Sequence, residues 1–252
     1  MRKLNIRLME PLDFSASEAL NTICSNLQFA GRDLKKIVVT SCNANDGKSY
    51  MSLHIAQNIA RRGKNILVID TDLRKSVMVS RYGMQLEEPG EMTGLAHYLA
   101  GYAKLDDVVY ETNLMNLYFM PIGNEVANPV PLLDSPEFGK MLNSLASSFD
   151  MVLIDAAPVG LVIDAAEVAR YADGLIFITS YNKTTHRELR EAKAQIEATG
   201  CPILGCIINQ VDLKGLSAKK YYRKDYYNHY GNGYYGSYAP DDGKKHKKKT
   251  KS

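Results

Sequence analysis

A short segment around residue 45 combines the residue types that bind phosphate groups. Residues 40–49 read Thr-Ser-Cys-Asn-Ala-Asn-Asp-Gly-Lys-Ser, between an apolar run and a helical pattern. A loop at such a junction directs backbone N–H groups and the positive end of the helix dipole toward an anion. Lys48 would reach the β- and γ-phosphates of a nucleotide, the Ser49 hydroxyl would ligate Mg²⁺, and Gly47 leaves the backbone bare for close packing. The candidate nucleotide-binding residues are Asn43, Ala44, Asn45, Asp46, Gly47, Lys48, Ser49 and Tyr50.

The first half of this loop departs from the usual phosphate-loop pattern, which has a glycine five residues before Gly47. That position is Cys42 here. Asn45 stands where a further glycine would be comfortable, although asparagine tolerates positive φ better than most residues. Taken alone, the segment therefore leaves open a simple strand-to-helix turn that binds no nucleotide.

Three carboxylates at the ends of apolar runs favour the nucleotide interpretation. Asp70 and Asp72 follow the run 66–69, and Asp155 follows the run 151–154. Ligands of doubly wound sheets bind outside the carboxyl ends of the strands. We therefore expect the three carboxylates to gather beside Lys48 and Ser49 as a site for a magnesium–nucleotide complex.

The elements that must position these residues are predicted from the hydrophobic pattern. Apolar runs without strict alternation are typical of parallel strands buried on both faces. Such runs occupy residues 37–40, 66–69, 117–120, 151–154, 175–178 and 203–208. Helical patterns occupy residues 49–62, 130–148, 164–171 and 185–199, and a capping box at Ser15 and Glu18 predicts a further helix upstream. This alternation predicts an α/β fold, doubly wound, with a mostly parallel sheet covered by helices on both faces, as in P-loop NTPases.

Composition and charge divide the chain into a domain and a tail. The chain has 252 residues, 45% of them hydrophobic, and its eighteen glycines, nine prolines and four cysteines exclude collagen-like, low-complexity and disulfide-framework classes. The cysteines also lack metal-binding spacing. Neither a signal peptide nor a membrane-crossing run is expected, so we predict a cytoplasmic protein with reduced thiols. Residues 218–252 carry a net charge of +7 and the remainder carries −4. We predict a P-loop domain over residues 1–217 and a flexible tail over residues 218–252.

The tail is rich in tyrosine and lysine. Eight of the eighteen residues from 221 to 238 are tyrosines, namely Tyr221, Tyr222, Tyr226, Tyr227, Tyr230, Tyr234, Tyr235 and Tyr238. Residues 244–251 are mostly lysine. An aromatic, glycine-containing tail can also be a disordered spacer with no chemical role.

With these motifs together, the sequence resembles the bacterial protein-tyrosine kinases of capsule and exopolysaccharide biosynthesis. The resemblance covers nearly the whole chain and is carried by the loop ending Gly47-Lys-Ser, the segment Asp70-Thr-Asp-Leu-Arg, the strand ending at Asp155 and the tyrosine cluster. It implies ATP and Mg²⁺ as cofactors, with Mg²⁺ held by Ser49, Asp72 and Asp155. It implies a catalytic set of Lys48, Asp70, Asp72, Arg74 and Asp155, an adenine-contacting Asn209 and autophosphorylation of the eight tail tyrosines.

Within this set, Asp70 is the candidate for accepting the proton of the incoming tyrosine, whose unperturbed pKa lies near 10. Arg74 is expected to support the transferred phosphate or the loop. Because the loop is expected to be exposed, replacement of Lys48 is expected to leave the fold intact.

The resemblance also implies partners. Kinases of this type that have no membrane segment of their own depend on the cytoplasmic segment of a membrane activator, the polysaccharide co-polymerase, which recruits them to the inner face of the membrane. A homo-oligomer and a cognate tyrosine phosphatase are expected, and nucleic acid is not. The two arginines of the family's N-terminal association motif are replaced here by Asn21 and Cys24, which weakens the case for a ring.

Two alternatives stay open. One is an ATPase of the partitioning or cell-division positioning class, which shares the fold. Those ATPases carry a second lysine five residues before Lys48, where this chain has Asn43. The other is a non-catalytic regulator of polysaccharide assembly, which retention of Lys48, Ser49 and the three aspartates argues against.

Overall fold

The computed structural model describes residues 1–31 and 33–211. The predicted tail over residues 218–252, with its eight tyrosines, lies outside this range. The division of the chain at residue 217 therefore stays a prediction. No helix within the described ranges is long and apolar enough to cross a membrane.

One twisted sheet runs through the domain. Its strands are β1 (Arg2–Asn5), β2 (Lys36–Ser41), β3 (Ile66–Asp70), β4 (Gln85–Leu86), β5 (Tyr110–Thr112), β6 (Leu117–Met120), β7 (Met151–Asp155), β8 (Gly174–Ser180) and β9 (Ile203–Asn209). The spatial order is β4-β1-β5-β6-β3-β7-β2-β8-β9. The run from β6 to β9 is parallel throughout, and the antiparallel pairs are β1 with β4 and β5 with β6. The predicted parallel α/β sheet is confirmed.

All six predicted strands are present as β2, β3, β6, β7, β8 and β9. The expectation that each is buried on both faces is wrong for β9, which lies at the sheet edge and leaves Ile208 60% exposed. Strands β1, β4 and β5 were not predicted, because two to four residues are too short for a hydrophobic pattern to stand out.

The helices are α1 (Phe14–Ala30), α2 (Lys48–Ala60), α3 (Met78–Arg81), α4 (Leu95–Leu99), α5 (Leu105–Val108), α6 (Val130–Leu133), α7 (Pro136–Ser148), α8 (Asp164–Ala169) and α9 (His186–Glu197). The single helix predicted over residues 130–148 is wrong. Ser135 starts a new helix there by accepting a hydrogen bond from the Phe138 N–H, and Pro136 occupies the first turn, where its missing N–H is tolerated.

The capping box predicted at Ser15 and Glu18 is also wrong. Asp13 caps α1 instead, since its Oδ1 accepts a hydrogen bond from the Ala16 N–H at 2.8 Å. The helix therefore begins at Phe14, two residues before the start at Ala16 that a cap at Ser15 would give. Its buried residues are Leu20, Cys24 and Leu27.

Apolar side chains cover both faces of the sheet. One layer contains Leu67 and Ile69 of β3 together with residues of α4, α7, α8 and α9. The other contains Ile66 and Val68 of the same strand together with α1, α2 and α3. Alternate residues of β3 therefore enter different cores, as a strand buried on both sides requires.

Helix α2 buries a histidine whose protonation opposes folding. The ring of His54 lies against the ring of Tyr50 with centroids 4.2 Å apart and the two planes tilted by 52°, and its Nε2 has no hydrogen-bond partner among the described residues. Burial, with a smaller contribution from Arg61, lowers the pKa of His54 to about 4. The neutral imidazole is therefore the form that the folded chain accommodates.

Between pH 7.5 and 5.5 the titration of His54 lowers the free energy of unfolding, because the unfolded chain binds the His54 proton near pH 6.5 and the folded chain does not. His54→Phe keeps an aromatic ring beside Tyr50 and removes this titration, while every other titrating group is retained. Urea unfolding at the two pH values should therefore show a change in free energy that is about 1 kcal/mol less favourable in the wild type than in the variant. Equal changes in the two proteins would contradict the assignment.

Candidate functional site

The loop between β2 and α2 is folded by its own polar groups. The Asp46 carboxylate accepts a hydrogen bond from the Asn43 N–H at 3.0 Å, and the Ser41 hydroxyl donates to the Asn43 carbonyl at 2.7 Å. Asn45 and Gly47 adopt left-handed backbone conformations, with φ of 66° and 93°. The asparagine therefore takes the conformation for which a glycine would be usual.

The last residue of β9, Asn209, and the residue that follows it, Gln210, hold this loop. Asn209 Nδ2 donates to the Asp46 carbonyl and Gln210 Nε2 donates to the Asn45 carbonyl, both at 2.9 Å. A Cβ at position 47 would collide with Asn209 Nδ2, and the φ of 93° disfavours any other residue, so both features favour glycine here. The structure thus places Asn209 against the loop backbone. Gln210 was missed, because no sequence signal links it to a loop 165 residues away.

The acidic strand ends meet beside this loop. Asp70 and Asp155 are paired in the register of β3 and β7, and each is 1% exposed. Lys48 Nζ lies 3.1 Å from Asp72 Oδ2 and 3.6 Å from Asp155 Oδ2. The Ser49 hydroxyl donates to Asp155 Oδ2 at 2.7 Å. The structure therefore brings Lys48, Ser49 and the three aspartates into one cluster, as expected from the sheet topology.

Two serines that the sequence did not single out orient the carboxylates. Ser52 donates to Asp155 Oδ1 at 2.9 Å, so each oxygen of Asp155 accepts a serine hydroxyl. Ser76 donates to Asp70 Oδ2, and the other oxygen of Asp70 accepts the Asp72 N–H at 3.1 Å. The spacing of Ser52, one helical turn after Ser49, could have suggested a shared partner.

Burial makes the charges of this cluster costly. It raises the pKa of Asp70, with further elevation from the neighbouring Asp155, and it also raises the pKa of Asp155. Burial alone would lower the pKa of Lys48, but Asp155 and Asp72 outweigh that effect and the net direction is upward. One ammonium thus faces three carboxylates, which leaves room for a further positive charge.

The donor set fits Mg²⁺ in the company of phosphate groups. Hydroxyl and carboxylate oxygens are the ligands that Mg²⁺ prefers, and it commonly takes one or two carboxylates, water and substrate phosphates. Within residues 1–31 and 33–211, no three His, Cys, Asp or Glu side chains are arranged to hold a metal by themselves. Ser49, Asp72 and Asp155 therefore suit a metal that arrives with a nucleotide.

Arg74 is engaged with protein groups. Its Nε and Nη2 donate to the two oxygens of Asp164 at 2.7 and 2.9 Å, and its Nη1 donates to the Ala127 carbonyl at 3.2 Å. Neither partner belongs to the phosphate loop, so the two roles expected from the sequence, support of the transferred phosphate or of that loop, stay predictions. Asp164 was missed because an acidic residue in the first turn of a helix is common for electrostatic reasons alone.

Tyr50 lies in the first turn of α2 with its ring against His54. The predicted contact of Tyr50 with the nucleotide stays a prediction. Asn43 and Gly47 are half-buried, whereas Ala44 and Asn45 are exposed.

Comparison with known proteins shows that this chain is similar to tyrosine-protein kinases. The model of a family described as "AAA domain" matches residues 34–184. The chain is 38% identical over 216 residues to the tyrosine-protein kinase CpsD of Streptococcus pneumoniae, covering 86% of this chain and 92% of that protein.

Solved structures agree. The kinase domain of the Escherichia coli tyrosine kinase ETK superposes with a TM-score of 0.73 at 27% identity, covering 78% of this chain and 76% of that one. The septum site-determining protein MinD of Pyrococcus horikoshii, complexed with Mg-ADP, shares the fold with a TM-score of 0.59 at 21% identity, covering 74% and 76% of the two chains.

Proposed function

Since the chain belongs to the bacterial tyrosine-protein kinases of capsule and exopolysaccharide synthesis, we propose that it transfers the γ-phosphoryl group of ATP to tyrosines of its own C-terminal cluster. The observation that carries this proposal is the cluster of Lys48, Ser49 and three buried aspartates beside a loop shaped for phosphate. Phosphoryl transfer depends mainly on positioning and charge neutralisation, and this cluster is built for both.

Each residue has a distinct role in this proposal. Mg²⁺ held by Ser49, Asp72 and Asp155 would neutralise charge on the phosphates. Lys48 binds the β- and γ-phosphates and stays protonated because Asp155 and Asp72 favour its charged form. Asp70 accepts the proton of the incoming tyrosine hydroxyl, a role for which its raised pKa suits it.

The proposed association with partners avoids two positions of α1. The Asn21 Oδ1 accepts a hydrogen bond from Asn58 of α2 at 2.9 Å, and Cys24 is fully buried. Asn21 therefore contacts α2 of the same chain and Cys24 lies in the core, at positions where the family has arginines that support subunit contacts. We propose that the chain forms homo-oligomers through other surfaces and is recruited to the inner face of the membrane by an activator's cytoplasmic segment. A cognate phosphatase would remove the phosphate groups from its tyrosines.

The purified full-length chain should gain phosphotyrosine slowly with Mg-ATP and faster when the activator's cytoplasmic segment is added. The phosphate loop has Cys42 and Asn45 where glycines are usual, so it needs additional support to hold the nucleotide. The partner would supply that support. Anti-phosphotyrosine blotting over time measures both rates. A chain truncated after Leu216 is the matched control, and it should gain no label on itself.

Two outcomes would contradict parts of this proposal. Label on the truncated chain would place the modified tyrosines in the folded domain. A high rate that the activator segment leaves unchanged would show that the kinase does not depend on an activator, although its kinase activity would stand.

A further inference from the structure

The segment that carries Asp70 and Asp72 is tied down on both sides of Asp72. On one side, the Thr71 N–H donates to the Asp155 carbonyl at 2.8 Å. On the other, the Leu73 carbonyl accepts the Val126 N–H at 2.7 Å. Asp72 therefore lies between two backbone anchors, and Arg74 comes directly after the second.

Arg74 adds the outermost anchor and joins three parts of the domain. Its guanidinium binds Asp164 in a two-pronged pair and binds the carbonyl of Ala127. Asp164 begins α8, nine residues after Asp155, and Ala127 lies in the connection between β6 and α6. A two-pronged pair fixes the direction of the guanidinium as well as its distance, so it also restrains the backbone that carries it.

Asp164 lies in the first turn of α8, and its carboxylate pairs with one side chain. Its side chain is 1% exposed, and Arg74 is the only residue in the described part of the chain whose side chain hydrogen-bonds to it. Removing a carboxylate from water is costly, and its attraction to a single guanidinium repays that cost only in part. The pair is therefore weak evidence for a role in stability alone. The surrounding residues of α8, among them Ala165, Ala166 and Val168, are apolar and buried.

We propose that Asp164 is a positioning residue for phosphoryl transfer, which acts through Arg74 to fix the Asp72 carboxylate beside Lys48. This inference rests on the proposed function. Without Asp164, the segment after Leu73 loses its outer anchor, and the 3.1 Å contact between Lys48 and Asp72 loses its fixed geometry. A displacement of about 1 Å in such a site can cost about 100-fold in rate.

The two partners differ in what their removal leaves behind. Arg74 is 34% exposed, so its charge can be rehydrated when Asp164 is neutralised. Removal of Arg74 would instead leave the carboxylate of Asp164 buried and unpaired, which threatens folding. Asp164→Asn, which keeps the volume, is therefore the informative change.

The test compares Asp164→Asn with Asp134→Asn in the full-length chain. Asp134 forms a 2.6 Å pair with Arg170, whose side chain lies next to α8, but that pair is half-exposed and joins no site residue. We expect Asp164→Asn to lower kcat about 10- to 100-fold with a smaller rise in KM for ATP, because Asp72 is retained but loses its fixed position while the phosphate loop keeps its own hydrogen bonds. We expect Asp134→Asn to keep both values.

A double variant, Arg74→Met with Asp164→Leu, separates positioning from folding. An apolar pair in place of a buried ion pair commonly preserves stability, so the double variant should unfold near the wild-type temperature and remain slow. Recovery of kcat in the double variant would show that the pair serves folding alone and would overturn the inference. An unchanged kcat in Asp164→Asn would do the same.

Hydrogen exchange distinguishes this inference from the proposed function. Amides of residues 71–75 should exchange faster in Asp164→Asn than in the wild type, and this readout needs no phosphoryl transfer. A wild-type chain that forms no phosphotyrosine would refute the proposed function, while exchange in this segment would still decide whether Asp164 holds it. Unchanged exchange would overturn the inference.

Discussion

Replacing Lys48 with methionine is expected to lower the rate of phosphotyrosine formation about 100- to 1,000-fold. Lys48 Nζ lies 3.1 Å from Asp72 and 3.6 Å from Asp155, at the centre of the acidic cluster. Methionine has an aliphatic side chain of similar length but no charge, so the fall in rate measures the electrostatic contribution of Lys48. Initial rates at saturating Mg-ATP, read with anti-phosphotyrosine antibody, measure it.

The same variant is expected to be less stable, which corrects the expectation from the sequence that the fold would be unaffected. The Lys48 side chain is only 13% exposed, so it does not belong to an open loop. Its removal leaves three buried carboxylates without their counter-charge, and breaking a buried pair costs about 3 to 5 kcal/mol. Urea unfolding should therefore show a clear loss of stability, and rates must be measured where the variant is fully folded.

Lys64→Met is the matched control for both measurements. Lys64 pairs with Asp150 at 3.3 Å, but both side chains are largely in solvent. Its replacement should change the free energy of unfolding by less than about 1 kcal/mol and leave the rate unchanged. A Lys48→Met chain that labels itself at the wild-type rate would mean that the phosphate site has been placed wrongly.

The sequence predicts the long parallel strands and the acidic strand ends, because both follow from local patterns. A strand buried on two faces needs a continuous apolar run, and the carboxyl ends of parallel strands share one edge. The sequence alone therefore assigns Asp70, Asp72 and Asp155 to one place. The helix break before Pro136 could have been predicted as well, since serine followed by proline is a common helix start.

The rest depends on contacts between distant residues. Asp164 lies 90 residues from Arg74, and Ser52 lies 103 residues from Asp155. A serine inside a helix and an aspartate at a helix start have common local explanations, so the sequence gives no reason to prefer a distant partner. The burial of Lys48 could not be predicted either, because it depends on contacts with Asp72 and Asp155, which follow two other strands.

Asp70→Asn is expected to separate activity from stability. If Asp70 accepts the proton of the incoming tyrosine, an amide of the same shape cannot replace it, and kcat should fall about 100- to 10,000-fold. Nucleotide binding should persist, since Lys48, Ser49, Asp72 and Asp155 are all retained. Binding of a fluorescent ADP analogue in the presence of Mg²⁺ measures that part.

The same change is expected to maintain or increase the free energy of unfolding. Asp70 is buried beside Asp155, and burial and that like charge both raise its pKa, so its ionised form is disfavoured in the folded chain. The amide can keep both contacts, because its oxygen can accept the Asp72 N–H while its nitrogen donates to the Ser76 hydroxyl, which both donates and accepts. Urea unfolding near neutral pH, with Asp106→Asn at an exposed position as the control, measures this part. A near-wild-type rate would remove Asp70 from proton transfer, whereas parallel loss of rate and ADP binding would assign it to holding the nucleotide.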